Sequence, residues 1–334
     1  MDVSVVVVGH GDEPLLRPCL QSIVGQLGSN DEVVLVDHGI FKRPDIEGVR
    51  VIRPADNGGF GAGCSAGVEA TSGEVLVFVN SDALLHPGAL SALSTRAREP
   101  EVGLVGGLVV LADRPGTVNS VGLPVHLSGL SWCDGYGEPV SRHHSAKRIT
   151  SVAGALFACT RDVWRRLGGM DRSYFMYHED TDLSLRCHLA GFDVVYCPDA
   201  VADHAYDFSR NPRKMYLLER NRFLTVLGDY PTHLLVRVLP VLVVLEPLYL
   251  LIALRDGWGL EKLSAWLWLL RHARTVVGRR RQVQGSVRAP RALDDVLTPR
   301  ITQRQLESPG ALVHLNRMLA AYWSVAMPRT GVAK

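Results

Sequence analysis

No Cys-x-x-Cys occurs anywhere in the 334 residues. The six cysteines stand apart, at positions 19, 64, 133, 159, 187 and 197. Neither a zinc ribbon nor a dithiol redox motif is supported by that spacing, and the thiols are expected to be reduced and mostly buried. Neither sign of charge is in large excess. Lys and Arg number 36 against 34 Asp and Glu, a net +2, which removes global steering toward nucleic acid. Internal repeats and low-complexity tracts are absent. No basic segment precedes the first apolar run, Val3 to Val8, and that run is too short for a secretory leader. It is expected to be a strand of a cytosolic protein. Hydrophobic residues at 47% and charged residues at 21% mark a globular chain with room for one large domain or two smaller ones.

What is present is an alternation of strands and helices. Val3–Val8 is a continuous β-branched run, the pattern of a central parallel strand. Asp12 is placed to cap a helix beginning near Pro14, with Leu16, Leu20, Ile23, Val24 and Leu27 on one face. Strands are predicted at Glu32–Val36, Val49–Ile52 and Glu74–Val79. Asn57–Gly63 forms a Gly-rich loop leading into a helix through Ala70, and Pro87 starts another helix. This order predicts an α/β fold with a mostly parallel, right-handed sheet flanked by helices.

From Val102 to Val152 turn residues become frequent, and the expectation is a mixed-sheet region. Thr160 is placed to cap a helix over Asp162–Leu167. Glu179–Ala190 reads as a helix closed by Gly191, and Val194–Cys197 as a strand ending at Pro198. Residues 1–225 are therefore expected to form one domain, with halves 1–98 and 99–225. Residues 226–334 form a helical C-terminal region. There Leu234–Leu254 is strongly apolar but is interrupted by Arg237, Pro240, Glu246 and Pro247. Lys262 to Ala292 contains no Asp or Glu but holds seven arginines, from Arg271 to Arg291. A spanning helix needs about 20 mostly apolar residues. The interruptions favour helices lying on the inner face of the cell membrane, with Trp258, Trp266 and Trp268 at the interface and the arginines toward anionic lipid. A buried hairpin with a solvated basic surface is the plainer alternative.

Three polar groups end or follow strands. Asn80-Ser81-Asp82 closes the Glu74–Val79 strand, where open α/β sheets bind ligands. Period-two alternation puts Asn80 and Asp82 on one side and Ser81 on the other. His178-Glu179-Asp180 opens a helix, where acids also favour the macrodipole. His204 follows a strand end. A turn, a cap and a structural histidine would use the same residues. His143-His144 reads as a solvated loop pair.

Together these groups resemble the inverting family 2 glycosyltransferases of GT-A fold, over roughly residues 3 to 225. In that family an Asp-x-Asp motif, often Asn-x-Asp, holds the metal and the sugar nucleotide, and a Glu-Asp pair supplies the base. The resemblance implies Asp180 as general base, Glu179 positioning the acceptor or the loop, and Asp82 and His204 as ligands of Mg²⁺ or Mn²⁺. It implies donor contacts from Asp37, Asn57, Gly58, Asn80, Asp82 and Arg220. The Asn57–Gly63 loop matches the family's stretch that lies against the donor nucleoside. Val118–Gly137 is similar to rhamnosyltransferase-like members, which points to a dTDP- or UDP-linked donor, dTDP-rhamnose first, and a glycan or lipid-linked acceptor. Asn in place of the first Asp removes one charge from the metal site, so a catalytically inactive GT-A scaffold remains an alternative. An NAD-dependent oxidoreductase is the other. Gly9-His10-Gly11 and Asp37 mimic its fingerprint, but Pro14 stands at the third glycine position.

Overall fold

The computed structural model describes residues 2–205, 211, 213–302 and 309–327. The first half alternates as its sequence dictates: β1 (Val3–Gly11), α1 (Leu16–Val24), β2 (Glu32–Ile40), β3 (Val49–Ile52), α2 (Phe60–Glu69), β4 (Val75–Asn80), β5 (Ala83–Leu85) and α3 (Ala89–Ala97). β3, β2, β1 and β4 lie side by side and parallel. The Val-rich runs of β2, β1 and β4 are buried on both faces, which is why they show no alternation, while β3 is the edge strand. Helix α1 starts later than the sequence suggests. Leu15 occupies its N-cap position without a side-chain bond, so Asp12 is not the cap.

The second half is mixed. It contains β6 (Val102–Leu111), β7 (Val118–Ser120), β8 (Lys147–Arg148), β9 (Leu156–Thr160), α4 (Arg161–Leu167), α5 (Glu179–Leu189) and β10 (Asp193–His204). β9 runs antiparallel between β4 and β6, and β10 lies parallel to β6. β5 closes the sheet antiparallel to β10. Thr160 does cap α4, its hydroxyl accepting the Val163 amide at 3.3 Å. β10 passes Pro198, where the sequence suggested a stop. A register shift between Cys197 and Val201 takes up Pro198; a bulge tolerates a residue that lacks an N–H.

The C-terminal helices are α6 (Lys214–Asp229), α7 (Thr232–Arg255), α8 (Gly259–Arg271), α9 (Ala273–Gly285), α10 (Ala292–Val296) and α11 (Pro309–Ala326). α6 runs across position 225, and one apolar core joins Val125, Leu127, Leu185 and Leu189 to Val226, Leu234, Val238 and Leu245. α7 continues through Pro240 and Pro247. Both rings face solvent, where a helix can bend to relieve the ring clash. Glu246 is tied down. It accepts Arg222 Nη2 at 2.8 Å and Lys262 Nζ at 2.9 Å, and Glu219 bridges the same two cations. Charge inside this helix is thus satisfied by α6 and α8 rather than by water.

Six free cysteines are present, five of them buried.

Candidate active site

A cavity of about 980 Å³ opens along the carboxyl ends of β1 and β4. Its walls come from His10 and His38 beside the first strands, Asn57 and Gly59 of the Gly-rich loop, Asn80 to Asp82 after β4, and Phe175 to Thr181 ahead of and within α5. Asn80, Asp82, Glu179, Asp180, His204 and Asn57, separated by up to 147 positions in the chain, all line it.

Strand pairing places the metal-type residues. β5 pairs with β10 so that Ala83 faces His204. That register sets Asp82 Oδ1 at 3.2 Å from His204 Nε2. His204 Nδ1 lies 3.0 Å from Asn119 Oδ1 on β7. A carboxylate oxygen and an imidazole nitrogen held this close can either share a proton or serve together as ligands of a cation. Asp82 and His204 are two protein ligands, and the described residues contain no cluster of three or more His, Cys, Asp or Glu. Such a sparse set fits Mg²⁺ or Mn²⁺, which keep waters and substrate phosphate oxygens in their shells. Asn119 lies in the Val118–Gly137 stretch, where nothing local marks it as a partner of His204. Ser81 also lines the cavity, against the expected alternation, because β4 ends at Asn80 and a turn follows.

Asp180 sits in the first turn of α5. Its Oδ2 accepts the Gly154 amide at 2.9 Å and its Oδ1 the Thr181 amide at 2.7 Å. Burial raises its pKa above the ordinary aspartate value, while those amides oppose the shift. Next to it Glu179 is buried, and its Oε2 has no hydrogen-bond partner. Burial, and then the neighbouring Asp180 charge, push the Glu179 carboxyl well up. Both carboxyls are thus raised by burial, with the Gly154 and Thr181 amides opposing the shift at Asp180.

The backbone before these residues is strained. Phe175, Tyr177 and His178 all have positive φ, 62°, 69° and 68°, which costs roughly 1–3 kcal/mol per residue. α6 holds them there. Asn221 Nδ2 donates to the carbonyls of Tyr174, Met176 and Tyr177 at 2.9, 2.8 and 2.7 Å.

Three expected donor contacts, Arg220, Asp37 and Gly58, are not at the cavity wall. Arg220 does not line the cavity. It is buried, donates to the carbonyls of Ser173 and Tyr174, and stacks over Trp268. The α6 face bearing Leu217, Arg220, Asn221 and Leu224 turns inward, and Arg213 and Lys214 reach the cavity instead. Asp37 is also absent from the lining. Gly39 folds the chain back so that Asp37 accepts the Gly39 and Ile40 amides at 2.9 and 2.8 Å and Arg53 Nε at 2.8 Å. His38 takes its place at the cavity wall. Asn57 lines the cavity, and its Oδ1 accepts the Gly59 amide at 2.9 Å; Gly58 gives that loop its backbone but is not at the wall. His144 is exposed as expected of a solvated loop, but the His143 side chain is only 13% exposed and lies 3.0 Å from Glu138.

A family model described as "Glycosyltransferase like family 2" matches residues 2–226. The chain belongs to that family. The match ends within α6, three residues short of its end. The M. tuberculosis (strain H37Rv) N-acetylglucosaminyl-diphospho-decaprenol L-rhamnosyltransferase is 25% identical over 246 residues, 63% of this chain and 78% of that protein. The uncharacterized protein y4gI of Sinorhizobium fredii is 27% identical over 230 residues, 62% of this chain. The aligned part spans 25% of y4gI and 10% of the Myxococcus xanthus O-antigen biosynthesis protein RfbC, two larger relatives. Among solved structures, GalNAc-T7 with UDP, GalNAc and Mn²⁺ superposes with a TM-score of 0.57 at 18% identity, over 68% of this chain and 47% of that one. Staphylococcus aureus TarS 1–349 in complex with UDP gives 0.52 at 15% identity, over 98% and 90%. These neighbours establish the GT-A fold for this family 2 glycosyltransferase.

Proposed function

We propose that this family 2 glycosyltransferase moves a sugar from a nucleoside-diphosphate donor to an acceptor hydroxyl with inversion. The observation that carries the reading is Asp180. It is the half-buried carboxylate at the cavity wall whose two oxygens accept the Gly154 and Thr181 amides, and Asp82 and His204 line the same cavity. In this reading Asp180 takes the acceptor proton, which contributes about 10²–10⁴-fold in rate. Neutral Glu179 donates a hydrogen bond to the acceptor or to the loop that carries it. Asp82 and His204 hold a divalent cation, with Asn80 a weaker contact. The cation, when bound, neutralises charge on the departing diphosphate. Asn57, with the histidines His10 and His38, lines the nucleoside end. Asp37 supports this wall from behind.

The mycobacterial relative acts, by its name, on a lipid-linked acceptor. That and the sequence likeness of Val118–Gly137 favour a polyprenyl-linked or glycan acceptor and dTDP-rhamnose as first donor to try, ahead of UDP-linked hexoses. Such an acceptor fits an enzyme working at the inner face of the cell membrane in surface polysaccharide synthesis.

Calorimetric titration with dTDP and UDP, with and without Mn²⁺, separates the roles. Asp82→Ala is expected to lose metal-dependent nucleotide binding, and Asp180→Asn to keep it while losing transfer. Equal loss of binding in both variants would sink this division of labour.

A further inference from the structure

The apolar helix α7 is long and apolar enough to cross a membrane, about 36 Å at 1.5 Å per residue. Its packing forbids that placement. One side is bound lengthwise to the domain through Leu234, Val238, Leu245 and the Glu246–Arg222–Lys262 ion cluster. The other side is bare. Val236, Leu239, Val243, Val244, Leu251 and Leu254 are exposed and recur at intervals that share one helix face. α8, packed beside α7, repeats the pattern with Leu260, Leu263, Leu267 and Leu270, of which Leu260 is 77% exposed. Bare apolar surface on this scale marks an interaction site.

The charge around this surface indicates what covers it. Of the seven arginines in the acid-free stretch, two are structural. Arg279 is buried against Asp171, Asp182 and Asp229, and Arg280 donates to the carbonyls of Leu227 and Tyr230. Arg271 is exposed at the end of the α8 stripe, and Arg274 and Arg281 are exposed on α9. Among the described residues none of these three forms an ion pair, and the nearest downstream acid is Asp294. An apolar stripe ending in a cationic rim is the pattern of a helix that lies in the interface of an anionic bilayer.

We propose that α7 and α8 dock flat on an anionic lipid surface, apolar stripe into the headgroup boundary and Arg271, Arg274 and Arg281 at the phosphates, with no helix crossing. The proposal deepens the reading of a membrane-borne acceptor and rests on it only for purpose, since binding to lipid is measured without any sugar.

Flotation of the full chain with phosphatidylcholine vesicles, with and without roughly one third phosphatidylglycerol, is the test. Binding is expected to the anionic vesicles and to be released by about 1 M salt. Arg271→Glu with Arg274→Glu is expected to weaken it by more than 10-fold, since each lost basic residue costs about fivefold. Leu260→Glu with Leu267→Glu is expected to abolish it. Melting curves of these surface variants, matched to the parent, show that the fold is intact. Equal binding to neutral vesicles would overturn the cationic rim. Retention after high salt and alkaline carbonate would overturn the flat mode in favour of insertion. A vesicle-blind protein that dimerises through this face in sedimentation would assign the surface to a second copy. Nucleotide binding, measured in parallel, stays intact in all variants if the catalytic reading holds, so the two readings fail separately.

Discussion

Gly59 and Phe175 meet backbone to backbone. The Phe60 amide donates to the Phe175 carbonyl at 2.8 Å, and a Cβ placed on Gly59 would collide with that carbonyl oxygen. Gly59 has φ 89° and Phe175 φ 62°. The Asn57–Gly63 loop and the strained loop ahead of Glu179 and Asp180 are therefore one rigid wall of the cavity, joined by a contact that only glycine permits.

Gly59→Ala should disturb both ends of the reaction at once. The φ strain alone costs roughly 1–3 kcal/mol, and the collision must move Phe175. Nucleotide affinity and transfer rate are expected to fall together, with a lowered melting temperature. Asn221→Ala acts on the same wall from behind. It removes three hydrogen bonds worth about 1 kcal/mol each, all of them to the Tyr174–Tyr177 loop and none to Asn57–Gly63. Its expected signature is a fall in kcat at nearly unchanged nucleotide affinity, measured by titration beside steady-state kinetics.

Arg279 ties the helical region to the catalytic helix. It donates to Asp182, two residues after Asp180, and to Asp229 at 2.8 Å and Asp171 at 2.9 Å. Arg279→Ala leaves buried Asp182 and Asp229 short of their shared cation, which costs about 3–5 kcal/mol. Denaturant unfolding of the full chain checks the value. Arg279→Lys restores the charge but not the fork, so partial recovery is the expected result.

The acid pair sets the pH behaviour. In the base role proposed for it Asp180 must be ionised, and its pKa is raised. Transfer is therefore expected to rise with pH through a limb displaced upward from that of a free aspartate. Glu179 is also raised, so the folded protein holds this proton to higher pH than the unfolded chain. Its stabilising contribution is complete in acid and is lost as pH rises through the folded value. Glu179→Gln removes that titration. Unfolding free energies of the two proteins compared at about pH 5 and about pH 9 should show the variant gaining on the parent at the higher pH.

Much of this was legible in the residues. Val3–Val8 and Val75–Val79 announced central strands because both faces are apolar, and the motif positions Asn80–Asp82, His178–Asp180 and His204 converge on one cavity wall. What failed were inferences that depend on what a side chain meets in three dimensions. Asp37 and Arg220 carry suitable groups, but neighbouring backbone consumes them: two amides and Arg53 for Asp37, two carbonyls for Arg220. Pro198 reads as the end of a strand and Pro240 and Pro247 as interruptions of an apolar stretch, yet a bulge and an exposed helix side absorb them. Glu246 looked like an interruption of an apolar helix; Arg222 and Lys262, 24 and 16 residues away, make it a joint. Asn119 and Asn221 show no local pattern, since their partners are a distant histidine and three carbonyls.

The most direct measurement is nucleotide release from a panel of dTDP- and UDP-linked sugars incubated with purified protein and Mn²⁺, without added acceptor, for the parent and Asp180→Asn. Slow release from one donor, with water replacing the acceptor and with loss of turnover but not of binding in Asp180→Asn, is the expected result. A folded parent that binds and turns over none of the donors would contradict a catalytic Asp180 and leave a GT-A scaffold without chemistry.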